Sequence, residues 1–319
     1  MFKKIIDNNF QKHQYVHTSG ISFSISPAKG GILNELLLLD STGKTCSLVD
    51  GYENEIDITD AYKSAILLPF ANRINKGKYS YAGVAYQLPI NEDRVGDQGQ
   101  VIQHALHGLL YDCSWSIEKE ELNDRYAKVM LSIHYQSNRE GYPFSFEVSI
   151  EYLLSAQTNE LTVSTEIKNT SKESIPMGYG FHPYLKIDDT PVNELDIAFD
   201  VRSKFTLDEY CIPTGAKEEY DTFREKKKIA STEFDDCFEL ASKEGKNVLQ
   251  LSNQNASVEF WQETGEKKFN FLQLYTPPHR KSIAVEPMSS CIDTFNNKIG
   301  LMEIHSNEVI TASFGIKLT

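Results

Sequence analysis

The amino-acid sequence predicts an all-β protein, a large antiparallel sandwich or barrel. Three observations carry this. Apolar–polar alternations of period two recur from one end of the chain to the other. Turn-forming residues punctuate them. Convincing helical periodicity is nearly absent. Many short strands without intervening helices pack as antiparallel layers rather than as a parallel sheet.

Taken in order, residues 21–25 alternate strictly, and Gly30-Gly31 then marks a turn. Residues 117–126 are expected to form one or two helical turns or, from their charges, a hairpin tip. Residues 144–152 place Phe144, Phe146, Val148 and Ile150 on one strand face. Thr158-Asn159 turns the chain into residues 161–167, where Leu161, Val163 and Thr165 share a face, and Ser171-Lys172 ends that strand. Residues 188–228, with Pro191, Pro213 and Gly215, are the least patterned and are expected to leave the sheets as long excursions. Residues 248–251, 257–261, 269–275 and 309–317 supply further strands, with a turn at Thr264-Gly265. No linker, fixed-period repeat or shift of composition divides the chain. Residues 1–319 are therefore expected to form a single β domain, long enough for a large core.

Composition narrows the function classes. The 16 Tyr, 17 Phe and 2 Trp indicate an ordered globular protein. A net charge of −13 repels nucleic acid, and the densest basic run, Lys226-Lys227-Lys228, follows acids closely and suits a solvated turn. Cys46, Cys113, Cys211, Cys237 and Cys291 are odd in number and widely spaced, without a C-x-x-C pair. They support neither a metal cluster nor a disulfide framework, and fit a reducing cytoplasm. The amino-terminal stretch from Met1 to Asn9 has two lysines but no sustained apolar region, so no signal peptide is expected, and no apolar run reaches transmembrane length.

The chemistry concentrates around Glu286, an acid in the otherwise apolar run Ser282-Ile283-Ala284-Val285-Glu286-Pro287-Met288. With a period of two, Ile283 and Val285 point one way, and Ala284, Glu286 and Met288 the other. A carboxylate that shares its face with Ala and Met has its charged form disfavoured, which raises its pKa toward that of a general base. A solvated Glu on a half-exposed strand is the plainer alternative. Three other segments combine polar and apolar residues. Leu67-Leu68-Pro69-Phe70-Ala71-Asn72-Arg73-Ile74 offers several hydrogen-bond donors, and His104-Ala105-Leu106-His107-Gly108-Leu109 allows a close backbone approach at Gly108. Met177-Gly178-Tyr179-Gly180-Phe181-His182-Pro183-Tyr184-Leu185 surrounds one His with aromatic residues and glycines, as the floor of a sugar pocket would. A surface ion pair for Arg73 and core roles for the histidines are the corresponding structural alternatives.

Together these segments resemble the aldose 1-epimerase (galactose mutarotase) family. Ala71-Asn72-Arg73-Ile74 with Gly77 is similar to its A-N-R-I-x-x-G, Leu106-His107-Gly108 to its L-H-G, and His182-Pro183-Tyr184 to its H-P-Y/F. Phe234-Asp235-Asp236-Cys237-Phe238 resembles its D-H-x-F region, and Gln273-Leu274-Tyr275-Thr276 its Q-x-Y-T strand. Ala284-Val285-Glu286-Pro287 stands where the family has its catalytic Glu, and Ile292-Asp293-Thr294-Phe295-Asn296 resembles the D-x-x-N that follows. The chain departs from the pattern at Leu68-Pro69-Phe70, at Leu109 and at Asp236, which replace G-R-x, the second glycine of L-H-G-G and the His of D-H.

The resemblance implies a galactose mutarotase-like β-supersandwich that interconverts the α and β anomers of a free aldohexose. It implies Glu286 as the base on the C1 hydroxyl and His182 as the acid to the ring oxygen. His107, Asn72, Arg73, Asp235 and Gln273 would bind the sugar, with no cofactor and no metal. A hexose-phosphate epimerase, for which Arg73, Arg280 and Lys281 are the available cations, and a non-catalytic carbohydrate-binding sandwich are the alternatives. A glycoside hydrolase using Asp235 and Glu286 is a further one.

Overall fold

A computed structural model describes residues 1–7, 11–52, 57–137 and 139–319. Asn8 and Asn9, at the end of the amino-terminal stretch considered above, lie outside the described residues. The chain is nearly all β, and its sheets are antiparallel, as the alternations require. Among the described residues the largest sheet has nine strands. Its centre is formed by Ser145–Ser155, Glu160–Asn169, Val309–Leu318 and Ser257–Thr264. A second sheet of eight strands includes Val201–Leu207, Asp235–Leu240, Phe271–Tyr275 and Ile283–Met288, with Gly180–Phe181 and Tyr184–Leu185 both paired to Ile283–Met288.

The two sheets face each other across one apolar core. Phe146, Val148, Ile150 and Tyr152, alternate residues of one strand, are all buried in it. Phe314 of the nine-stranded sheet packs on Phe181 at 4.9 Å between ring centroids. Leu272 and Leu274, and Ile283 and Val285, enter the same core from the eight-stranded sheet. A smaller cluster lies on that sheet's opposite side and includes Leu67, Ala71, Cys237, Phe271 and Met288. The Ile283–Met288 strand thus packs on apolar clusters at both faces and, Glu286 included, is buried along its whole length.

One expectation is narrowed to one of its two alternatives, and another is corrected. Residues 117–126 take the hairpin alternative and not the helical one: Ser116–Leu122 and Tyr126–Gln136 form a hairpin, so their charges mark strands with a wet face. Residues 188–228 do not simply leave the sheets. They contribute Asp196–Phe199 and Lys227–Lys228 to the nine-stranded sheet, and Val201–Leu207 and Pro213–Glu219 to the other. These strands sit at or near sheet edges, where one face and one hydrogen-bonding side meet water, which weakens the apolar alternation.

Phe146 is fully buried and stacks on Tyr135 at 5.0 Å. Phe146→Ala leaves a cavity between the sheets and should cost about 3–5 kcal/mol in urea-induced unfolding. A loss below about 1 kcal/mol would mean that this core collapses freely around the gap.

Candidate active site

The site is built by register. Gly180 pairs with Met288 and Tyr184 with Ala284, so His182, midway between, falls opposite Glu286. On the other side of the same strand Gln273 pairs with Glu286, and Cys237 pairs with Gln273. Asp235 and Tyr275, two residues along, are also paired and share that face. Asp236 lies on the reverse face, 3.4 Å from the Lys204 ammonium. Its replacement of a family His therefore falls outside the cavity.

A second group arrives from the other side. The short Arg73–Ile74 strand pairs with Val101–Leu106, and the His107 N–H donates to the Asn72 carbonyl at 2.9 Å. Asn72 (φ 55°) and His107 (φ 61°) are both left-handed, a conformation that costs a non-glycine residue about 1–3 kcal/mol and concentrates at functional sites. Gly108 (φ 79°) follows, and a Cβ there would lie 2.2 Å from the Leu68 carbonyl oxygen. Asp293 and Asn296 brace this loop from outside. The Asp293 N–H donates to the Arg73 carbonyl at 2.8 Å, and the Asp293 carboxylate accepts from the Asn75 N–H and the Asn296 amide.

These elements enclose a cavity of about 510 Å³ lined by all seven residues singled out in the sequence: Glu286, His182, His107, Asn72, Arg73, Asp235 and Gln273. His182 Nε2 lies 3.3 Å from Glu286 Oε1, and both side chains are almost wholly buried. The His107 and His182 rings meet edge to face at 5.0 Å, and Tyr184 stacks on His182 at 5.0 Å. Gln273 Nε2 donates to Asp235 Oδ1 at 3.1 Å. Glu286 Oε2, Gln273 Oε1, His107 Nδ1 and His182 Nδ1 are buried without a hydrogen-bond partner among the described residues. Four such atoms on residues lining one cavity are costly unless a polar ligand serves them.

Sequence reasoning did not single out Glu92, Arg94 or Tyr62, which also line the cavity, whereas Tyr184 lines it as a member of the His182-Pro183-Tyr184 motif. Glu92 accepts two hydrogen bonds from the Arg73 guanidinium, both at 2.7 Å. His104 has a backbone role, its Nδ1 accepting from the Lys76 N–H at 3.1 Å. Arg280 bonds the carbonyls of Ala230 and Thr232 and does not line the cavity.

Burial sets the electrostatics. It pushes the Glu286 carboxyl well above its ordinary value; the charge of Asp235 adds to this and that of Arg73 opposes it. Burial lowers His182 to about 4. It also lowers His107, with further contributions from His182, Arg73 and Arg94. For Arg73 burial works against the charge, but the hydrogen bonds and charge of Glu92 prevail and its pKa rises. The cavity thus holds a carboxyl and an imidazole that both favour their neutral forms.

The aldose 1-epimerase family model matches residues 13–317. The chain belongs to the aldose 1-epimerase family. Its enzyme class is accordingly that of an isomerase. It is 31% identical over 284 residues to the uncharacterized protein YihR of Escherichia coli K12, covering 88% of this chain and 86% of that one. It is 27% identical over 255 residues to an aldose 1-epimerase of Streptococcus thermophilus, covering 74% and 68%. A galactose mutarotase-like protein of Clostridium acetobutylicum shares the family fold, with a TM-score of 0.83 at 20% identity over 100% of this chain and 98% of that one.

The raised pKa of Glu286 has a consequence for stability. Above its ordinary value of 4.5 the unfolded chain ionises this group while the folded chain resists. Stability contributed by the group is complete below 4.5 and is lost as pH rises through the folded pKa. Glu286→Gln cannot ionise, so it should melt at a higher temperature than the wild type at pH 7, with the gap closing as pH falls toward 4.5. Melting curves with the same difference at both pH values would show that burial does not perturb this carboxyl.

Proposed function

We propose that the protein is an aldose 1-epimerase (mutarotase) that interconverts the α and β anomers of a free aldohexose, serving hexose metabolism in the cytoplasm. The proposal takes residues 1–319 as one catalytic β domain. The observation that carries it is the 3.3 Å contact between His182 and Glu286 in the cavity. Opening a hemiacetal ring moves one proton off the C1 hydroxyl and another onto the ring oxygen. Both oxygens are bonded to C1, so the base and the acid that serve them must be neighbours, as these two are.

In this reading the Glu286 carboxylate removes the C1 hydroxyl proton, and the His182 imidazolium donates a proton to the ring oxygen as its bond to C1 breaks. C1 becomes an aldehyde. Rotation about C1–C2 presents its other face, and the reverse transfers close the ring as the other anomer. When the ring is open Glu286 is protonated and His182 neutral, the forms that burial favours in the empty cavity. Proton count is conserved across the cycle. Asn72, Arg73, His107, Asp235 and Gln273 orient the hydroxyls, which removes part of the entropic cost of alignment.

Charge pairing supports a neutral sugar over a phosphorylated one. Each Lys and Arg lining the cavity has a carboxylate partner: Lys63 with Asp50, and both Arg73 and Arg94 with Glu92. Of the cations named for a phosphosugar, Arg280 and Lys281 do not line the cavity. The five cysteines are unbridged, which suits the cytoplasm. Among the described residues no helix is long and apolar enough to cross a membrane.

Polarimetry of freshly dissolved anomers tests the proposal. Glucose or galactose should mutarotate faster with the wild type, and glucose 6-phosphate should not. Glu286→Gln and His182→Asn should each lower the rate roughly 10²–10⁴-fold while sugar binding, measured by calorimetry, persists. Wild-type turnover in Glu286→Gln, or acceleration confined to the phosphate ester, would overturn it.

A further inference from the structure

The Glu92–Val95 strand half-buries alternate residues, so Glu92 and Arg94 project from the same face, and both line the cavity. The hairpin that carries them is fastened at its tip: Glu209 accepts from the Asp97 N–H at 2.6 Å and from the Gln100 amide at 3.3 Å. Arg94 is anchored at its near end, where Nε donates to Glu92 Oε1 at 2.9 Å. Its far nitrogen, Nη2, lies 3.9 Å from Asp235 Oδ2. Asp235 is anchored on the opposite side, where Oδ1 accepts from Gln273.

A donor and an acceptor therefore face each other across a gap too long for a direct hydrogen bond. A hydroxyl oxygen about 2.8 Å from each atom closes that gap, accepting from the guanidinium and donating to the carboxylate. An anion at this point would be repelled by Asp235 and a cation by Arg94. The site selects a neutral group that both donates and accepts.

We propose that Arg94 is a specificity-determining residue that, together with Asp235, holds one sugar hydroxyl other than that on C1. The inference rests on the mutarotase reading of this cavity and assigns it a contact that the sequence motifs do not contain. Removing such a contact weakens binding of ground state and transition state alike, which raises KM and leaves kcat nearly unchanged.

The experiment measures kcat and KM for the preferred aldose and its 2-, 3-, 4- and 6-deoxy analogues in wild type, Arg94→Met and Arg94→Gln. Arg94→Met should raise KM for the parent sugar roughly 10–100-fold, the range for a hydrogen bond to a charged group. One deoxy analogue, lacking the bridged hydroxyl, should be almost insensitive to the substitution, while the others suffer as the parent does. Arg94→Gln keeps a donor and should show the same pattern with a smaller change, so a poorly folded Arg94→Met leaves the test intact. An unchanged KM, or an equal penalty on every analogue, overturns the proposal; the second is the result of a merely structural role through Glu92 and Arg73. Those outcomes in an active wild type leave the mutarotase reading standing, whereas a wild type inactive on every aldose overturns that reading itself.

Discussion

The antiparallel register of the Ile283–Met288 strand is the constraint on which the rest of the site depends. It sets Glu286 beside Gln273 on one neighbouring strand and opposite His182 on the other side. Slipping the strand by one residue would turn Glu286 into the core now filled by Ile283 and Val285, and turn those residues toward the cavity. The register is therefore fixed by apolar packing between two large sheets and not by the polar groups it aligns. Site geometry of this kind survives loss of a site residue, because the forces that place the backbone lie on the far side of the strand.

The same burial that fixes the strand sets the chemistry. Water is nearly excluded from Glu286 and His182, which penalises both charged forms. Their contact gives the one arrangement in which charge is tolerable, an ion pair formed by moving a single proton between them. The neutral and ionised states of the pair are thereby brought closer in free energy than for either group alone. A reaction that alternates between those states needs that balance. Arg73 is treated differently: it is fully charged, buried, and matched by the two oxygens of Glu92, so it provides a fixed donor array rather than a titrating one.

Much of this was legible in the sequence, and the reasons differ by element. Central strands such as Ser145–Ser155 have one face in the core and one toward water, so their alternation is strong. The edge strands within residues 188–228 bury little and read as loops; Pro213–Glu219 is almost wholly exposed. The residues on the cavity face of Ile283–Met288 were legible because an acid among apolar neighbours is conspicuous. Asp235 was distinguished from Asp236 only by the family pattern, and the register agrees, since the two side chains point to opposite faces. Asp293 and Asn296 matched a motif yet act on the backbone behind Arg73. A motif residue can hold the site together without entering it.

Glu92 and Arg94 were hidden for a physical reason. In Asn91-Glu92-Asp93-Arg94-Val95 the charges alternate between a face that meets the cavity and a face that meets solvent, and composition cannot tell the two apart. Only the fold reveals that Glu92 joins two arginines and that one of them stops 3.9 Å short of Asp235. Arg94, partly exposed, can change without disturbing the core, whereas Glu92 of the same strand is tied to the buried Arg73. The Glu286–His182 pair, locked in the sheet, has no such freedom. In the proposed reading the acid–base chemistry is tied to the strand packing, while the contact to a hydroxyl away from C1 rests on Arg94 of a peripheral hairpin.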